Sequence, residues 1–153
     1  MQRMDTVRCA MDKGANKAMR IAIRYYTQTG NTKKLADAIA AELGVEAKPV
    51  TAPLEEKADF LFLCNSVYWA GVDKAVKQFV RDNAAHIGTL VNLSTAALID
   101  STYAQMKKVA REAGVTLCEK EFHCRGKFAA LHAGHPDEAD IAAAVAFVRS
   151  VVA

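Results

Sequence analysis

Between Arg20 and Leu43 the spacing of apolar residues changes once, from every second position to every third or fourth. The change falls across Thr27-Gln28-Thr29-Gly30-Asn31-Thr32, which holds no bulky apolar side chain. Ahead of it, Ile21, Ile23 and Tyr25 alternate with smaller or polar partners, and their β-branched and aromatic character suits a strand. Behind it, Leu35, Ile39 and Leu43 recur at i, i+4 and i+8 with Ala36 and Ala40 beside them, which gives one apolar helical face. Gly44 stands where helices commonly end. Val45 to Val50 then reads as a short strand of the edge type, because Pro49 cannot donate to an interior ladder. Phe60-Leu-Phe-Leu-Cys64 is a continuous apolar run, the pattern of a strand buried on both faces of a parallel sheet. Strand, helix, strand and buried strand in succession imply βαβ crossovers and an α/β fold.

The turn itself suits an anion. The first backbone N–H groups of a helix have no intrahelical partner, and the dipole there is positive. A phosphate at that end would gain backbone donors and hydroxyls from Thr27, Thr29 and Thr32, with Gly30 letting the main chain come close. The simpler reading is helix capping by Thr or Asn. Capping needs one hydroxyl, whereas this turn offers three and a glycine. There is no G-x-x-x-x-G-K-[ST] and no G-x-G-x-x-G, which argues against a nucleoside triphosphate loop and a dinucleotide fingerprint.

Tyr26-Thr27-x-Thr29-Gly30-Asn31-Thr32, opening a helix after a strand, resembles the FMN-phosphate loop of the flavodoxin family. That pattern is an aromatic, Thr or Ser, any residue, Thr, Gly, Asn, Thr. The resemblance implies a flavodoxin-like three-layer α/β/α sandwich, with a five-stranded parallel sheet of strand order 2-1-3-4-5 and FMN at the switch point. It extends over Met19 to Val152, so the expected domain is 19–153, preceded by a flexible extension over 1–18. Thr27, Gln28, Thr29, Gly30, Asn31 and Thr32 are the expected phosphate-binding residues.

Asn65, Ser66, Val67, Tyr68, Trp69, Ala70 and Gly71 are expected in a loop at the carboxyl end of the third strand, the edge where open parallel sheets bind ligands. Trp69 is the only tryptophan, and it or Tyr68 could stack on the isoalloxazine ring, adding roughly 0.5–1.5 kcal/mol beyond area burial. The alternative is a hydrophobic lid on the end of the sheet. By resemblance, Gly71 could permit a backbone flip near the flavin N5 that favours the one-electron-reduced state. Thr89 to Leu93 reads as the fourth strand and delivers Ser94, Thr95, Ala96 and Ala97 to the same edge. Resemblance assigns that loop to the other side of the ring. Its small residues replace the aromatic and acids often found there, leaving one ring face more open.

Asp73 is expected to cap a helix with Val76, Phe79 and Val80 inward and Lys74, Lys77 and Arg81 outward, a solvated face or a docking patch. A further helix runs from Asp100 or Ser101 to Gly114, and a fifth strand from Val115 through Phe122. The C-x-G-K stretch at Cys124 and the Gly134-His-Pro136 stretch resemble the tail of some small flavodoxin-like proteins. Pro136 is expected in the first turn of the last helix, with Asp137 and Glu138 at its positive end. Ile141, Ala144, Val145, Val148 and Val152 would pack that helix on the sheet.

Composition narrows the function. The chain has 153 residues, 52% hydrophobic, and no apolar run near the roughly 18 residues of a membrane span. A net charge of +3 with scattered cations does not suggest nucleic acid. Residues 1–18 have no apolar core of a signal peptide. The four cysteines form no C-x-x-C pair, so reduced thiols in a cytoplasmic protein are expected, Cys64 packed in a strand. His123, Cys124, His132 and His135 match no standard metal spacing, and no metal site is expected. No catalytic arrangement can be read either. The expected function is an FMN-binding electron carrier, monomer or weak homodimer, working between a reductase and an acceptor protein. The alternatives are a flavin-dependent NAD(P)H quinone or nitro reductase of the same fold, and a flavin-free interaction module of flavodoxin shape. Flavodoxins are usually strongly acidic, and this chain is not. Coulomb reasoning therefore gives a less negative potential for its second electron.

Overall fold

The computed structural model describes residues 6–7, 19–27, 30–67, 72–96, 101–125 and 136–153. Their strands form one sheet: β1 (Thr6–Val7), β2 (Ile21–Tyr26), β3 (Ala47–Pro49), β4 (Ala58–Val67), β5 (Ile87–Ala96) and β6 (Thr116–Cys124). All pairings are parallel, and the spatial order is β1-β6-β5-β4-β2-β3. With the two-residue β1 set aside, the remaining five stand in the order 2-1-3-4-5, as predicted. Within the segment read as an extension, Thr6 and Val7 pair with Leu117 and Cys118 of β6.

Among the described residues four α-helices cover the sheet: α1 (Asn31–Leu43), α2 (Lys74–Asp82), α3 (Tyr103–Ala113) and α4 (Glu138–Val152). Leu35 and Ile39 of α1 and Ala144 and Val148 of α4 share one apolar cluster with Ile23, Phe62 and Leu93 of the sheet. Val76 and Phe79 of α2 and Met106 and Val109 of α3 join Leu61, Leu63, Leu90 and Leu117 in a second cluster. The sheet is thus the middle of three layers. Every residue of β4 from Phe60 to Ser66 is buried, as its unbroken apolar run requires. Each large side chain sealed in these clusters contributes about 1.5–3 kcal/mol.

On the second face the loop after β3 joins the cluster: Leu54 is buried in it, with Val50 packed against it. Arg24, 6% exposed, holds this loop from below. Its Nε donates to the Ala52 carbonyl at 2.9 Å and its Nη2 to that of Pro53 at 3.1 Å. Nη1 donates to the Ile23 carbonyl at 3.0 Å. Burial lowers the pKa of the guanidinium, with Glu46 and Glu55 opposing.

Several boundaries depart from the sequence reading. β4 and β5 extend beyond Cys64 and Leu93, because Asn65, Ser66 and Val67 pair with Ser94, Thr95 and Ala96. The stretches Asn65–Val67 and Ser94–Ala96 are therefore strand, not loop. α3 begins at Tyr103, later than expected. Pro136 lies before α4 rather than in its first turn, because Asp137 is the N-cap. Its carboxylate accepts from the Asp140 N–H at 2.9 Å, and the Asp140 carboxylate accepts from the Asp137 N–H at the same distance. Gly44 and Gly114 end α1 and α3 in the left-handed region, and Asp73 caps α2 as predicted. Cys64 and Cys124 are free, but Cys118 is disulfide-bonded, against the expectation of four reduced thiols. Among the described residues no helix is long and apolar enough to cross a membrane.

Candidate functional site

The carboxyl ends of β2, β4, β5 and β6 lie side by side, with Tyr26 opposite Asn65, Asn65 opposite Ser94, and Ser94 opposite His123. From β2 the chain passes to β3 on one side, and β4 lies on the other, so the strand order reverses here, the place where open parallel sheets bind ligands. The start of α1 stands at this edge.

That start differs from those of α2 and α4, whose N-caps bond the first turn: Asp73 accepts from the Ala75 N–H at 2.8 Å and Asp137 from the Asp140 N–H. The N-cap of α3, Thr102, makes no such bond, and Ser101 Oγ before it accepts from the Tyr103 N–H at 3.0 Å. α1 is entered through Gly30, at φ 90°, and no side chain caps it. Thr27 Oγ1 accepts from the Gly30 N–H at 2.9 Å, tying the end of β2 to the start of the helix. The first turn of α1 holds no acid and ends in two cations, Lys33 and Lys34. Lys33 Nζ pairs with Asp37 at 2.7 Å, and Lys34 Nζ donates to the Pro136 carbonyl at 3.0 Å. Cations at the positive end of a helix dipole are unfavourable, and an anion placed there would relieve them.

The roots of the edge loops are tied to one another. Thr32 Oγ1 and Thr95 Oγ1 lie 3.1 Å apart, joining α1 to the end of β5. Ser66 Oγ donates to the Tyr26 carbonyl at 3.1 Å, joining β4 to β2. The Val72 N–H donates to Gln105 Oε1 at 2.6 Å, fixing the segment before α2 on α3.

Beneath this edge lies a buried polar layer that the sequence reading missed. Asn65 Nδ2 donates to Asn92 Oδ1 at 2.8 Å and to the Leu93 carbonyl at 3.1 Å. Thr102 Oγ1 donates to Asn65 Oδ1 at 3.1 Å, and Asn92 Nδ2 donates to Thr102 Oγ1 at 3.0 Å. Ser101 Oγ donates to the Glu121 carboxylate at 2.6 and 2.7 Å. Asn65, Asn92 and Thr102 are fully buried. Their mutual bonds offset the desolvation that would otherwise make three such groups costly. The signal was available: Asn92 interrupts an apolar strand, Leu90-Val-Asn-Leu93.

Of the site residues predicted, Thr27, Gly30, Asn31, Thr32, Ser66, Val67, Thr95 and Ala96 come together at the carboxyl edge. Asn65 and Ser94 sit one level lower, Asn65 in the polar layer and Ser94 Oγ 3.1 Å from His123 Nδ1. Gln28, Thr29, Tyr68, Trp69, Ala70, Gly71 and Ala97 lie outside the described residues, as do His132 and His135. Cys124 is buried at the end of β6, and its thiol is pushed up to about 12 by burial, with Asp140 and Asp137 adding to the effect. Such a thiol stays protonated at neutral pH and is not a nucleophile. A cavity of about 440 Å³ lies at the opposite, amino edge, between Arg20, Glu46, Glu55 and Lys57. Arg24 lines it too, but its bonds hold the loop.

No curated protein matches the chain. Among solved structures, it is similar to a flavodoxin from the domain Archaea, at 14% identity and a TM-score of 0.65 over 87% of this chain and 99% of that one. It is likewise similar to a short-chain flavodoxin associated with a non-canonical PDU bacterial microcompartment, at 19% identity and a TM-score of 0.65 over 87% and 97%. A third is the oxidised flavodoxin 1 of Bacillus cereus, at 16% identity and a TM-score of 0.62 over 86% and 95%. At these identities the likeness establishes the fold. Residues 22–126, which span β2 through β6 and include the α1 entry, match the flavodoxin domain in sequence as well. Sheet order, loop motif and sequence match agree, and the chain belongs to the flavodoxin domain family.

Proposed function

We propose that this protein binds FMN at the carboxyl edge of its sheet and carries electrons between a reductase and an acceptor protein. The observation that carries the reading is the start of α1: a left-handed Gly30 with no side-chain cap, threonines on both sides, and Lys33 and Lys34 directly behind. These residues fit a phosphate, which accepts hydrogen bonds and brings negative charge to the positive end of the dipole. Thr27, Thr29, Gly30, Asn31 and Thr32 would hold it. The stretches 65–71 and 94–97 would flank the ring, and the bound flavin would supply the one- and two-electron chemistry. The chain's own part is to orient the group and limit water around it. The ties Thr32–Thr95, Ser66–Tyr26 and Val72–Gln105 serve that part by fixing the loop roots before any ligand arrives.

The test is flavin extraction from freshly purified protein, followed by titration of the stripped protein with FMN and with riboflavin. Uptake of FMN at least about tenfold tighter than riboflavin is expected, since only FMN carries the phosphate. Equal affinity for the two would remove the phosphate site from the proposal. Rapid NAD(P)H oxidation by the FMN-loaded protein alone would make it a reductase rather than a carrier.

A further inference from the structure

The two helical layers carry different charge. α2 and α3 together hold Lys74, Lys77, Arg81, Lys107, Lys108 and Arg111 against two acids, Asp82 and Glu112. α1 and α4 hold Lys33, Lys34 and Arg149 against Asp37, Glu42, Glu138 and Asp140. On that second layer the cations are engaged: Lys33 with Asp37, Arg149 with Glu42, and Lys34 with the Pro136 carbonyl. On the α2/α3 layer Arg81 reaches Glu112 at 3.7 Å, which bridges the helices. Among the described residues no ion pair involves Lys74, Lys77, Lys107 or Lys108. Lys74 and Lys108 are exposed, and Lys77 is half-buried. Lys74 opens α2 at the carboxyl edge, two residues after Val72, which is bonded to Gln105 of α3. The basic face therefore begins beside the proposed ring site and runs down both helices.

We infer that the α2/α3 face is the docking surface for an acidic surface patch on a partner protein. Among the described residues of α2 and α3, nothing supplements charge in the way bases or lipid would require. Phe79, Val76, Val80 and Met106 are buried, and the Tyr103 hydroxyl donates to the Cys118 carbonyl. No exposed aromatic is left on either helix to stack on bases, and no large apolar side chain to enter lipid. Cations interrupted by Glu112 and Asp82 match a mixed protein surface of opposite net sign, where such charges steer encounter and fix orientation. Only the partner's redox role rests on the proposed function. The docking face itself does not.

The experiment measures binding, without redox chemistry, to cytochrome b5 as an acidic probe protein, at about 20 mM and about 200 mM ionic strength. Binding that weakens with salt is expected. The Lys74→Glu/Lys77→Glu/Lys108→Glu variant should weaken it about tenfold or more, whereas Lys48→Glu/Lys57→Glu, on β3 and its loop, should change it less than about twofold. If the charge reversal impairs folding, the same three lysines changed to glutamine replace it, with a smaller loss in the same direction. Failure of the wild-type protein to bind at low salt, or equal effects of the two variant sets, would overturn the proposal. So would equally tight binding to duplex DNA or phosphatidylserine vesicles that is lost in the same variant. The full pattern seen in protein that takes up no FMN would retain the docking face and reject the electron-carrier reading.

Discussion

Thr32 and Thr95, sixty-three positions apart in the chain, place their hydroxyl oxygens 3.1 Å from each other with both side chains buried. One hydroxyl can donate to the other and still leave one proton free, so the pair both ties α1 to β5 and keeps a donor in reserve. Changing either residue to valine strands its partner's hydroxyl, a loss of about 1–3 kcal/mol. The double variant, which removes both groups, should lose about 1 kcal/mol less than the sum of the singles. Urea unfolding of the four proteins in a double-mutant cycle measures this, and full additivity would show that the two groups do not interact.

Gly30 and Gly88 should respond to alanine for different reasons. A Cβ at Gly30 would meet nothing within 4 Å, but the backbone sits at φ 90°, so Gly30→Ala should cost about 1–2 kcal/mol through strain alone. A Cβ at Gly88 would stand 2.8 Å from the Asp59 carbonyl oxygen and 2.9 Å from that of Ala58. Gly88→Ala must push β5 away from β4 and should be the more destabilising. Thermal unfolding ranks the two, and FMN titration should show a loss for Gly30→Ala beyond that of Gly88→Ala.

The polar layer offers a sharper contrast. Asn92→Leu removes one acceptor from the Asn65 amide, which keeps the Leu93 carbonyl, and one donor to the Thr102 hydroxyl, at a cost of about 2 kcal/mol. Glu121→Gln preserves the shape and can still accept from Ser101, so it should cost about 1 kcal/mol or less. Denaturant midpoints check both values.

Cys124 gives an alkaline signature. Its thiol ionises near 12 in the folded protein against an ordinary value of 9.0. The native state therefore keeps a proton that the unfolded chain surrenders, and the contribution is complete below pH 9.0 and lost as pH climbs toward 12. Between about pH 8 and about pH 10.5 the wild type should lose more stability than Cys124→Ala. Parallel curves for the two proteins would contradict this.

Arg24 should not tolerate lysine. Three separate nitrogens of its planar group reach three carbonyls, and a single ammonium cannot span them. Arg24→Lys should cost about 2 kcal/mol and free the Val50–Lys57 segment, read as faster tryptic cleavage after Lys57 at unchanged cleavage elsewhere.

The fold was legible because its signals are local. The period change at residues 27–32, the apolar run Phe60–Cys64 and the glycines at 44 and 114 each name an element or its end. Pro49 marked an edge strand, and β3 lies at the edge. Strand ends were misread where polar residues continue a ladder, since Asn65 or Ser94 looks like loop until a partner across the sheet is known. Pro136 was placed one step too far in because Asp137 and Asp140 cap each other. Of the Asn65–Asn92–Thr102 layer only Asn92, breaking an apolar strand, could be read; its partners are distant in sequence, so the bonds among them could not. At the site, the residue types of the α1 entry could be read, but the inward turn of Thr32 toward Thr95 could not.

The outermost strands, β1 and β3, are two and three residues long, and Pro49 in the latter has no N–H to offer. At the β3 margin a neighbouring chain that tried to extend the sheet would meet three residues, one of them without an N–H. Lateral polymerisation through that margin is thereby discouraged.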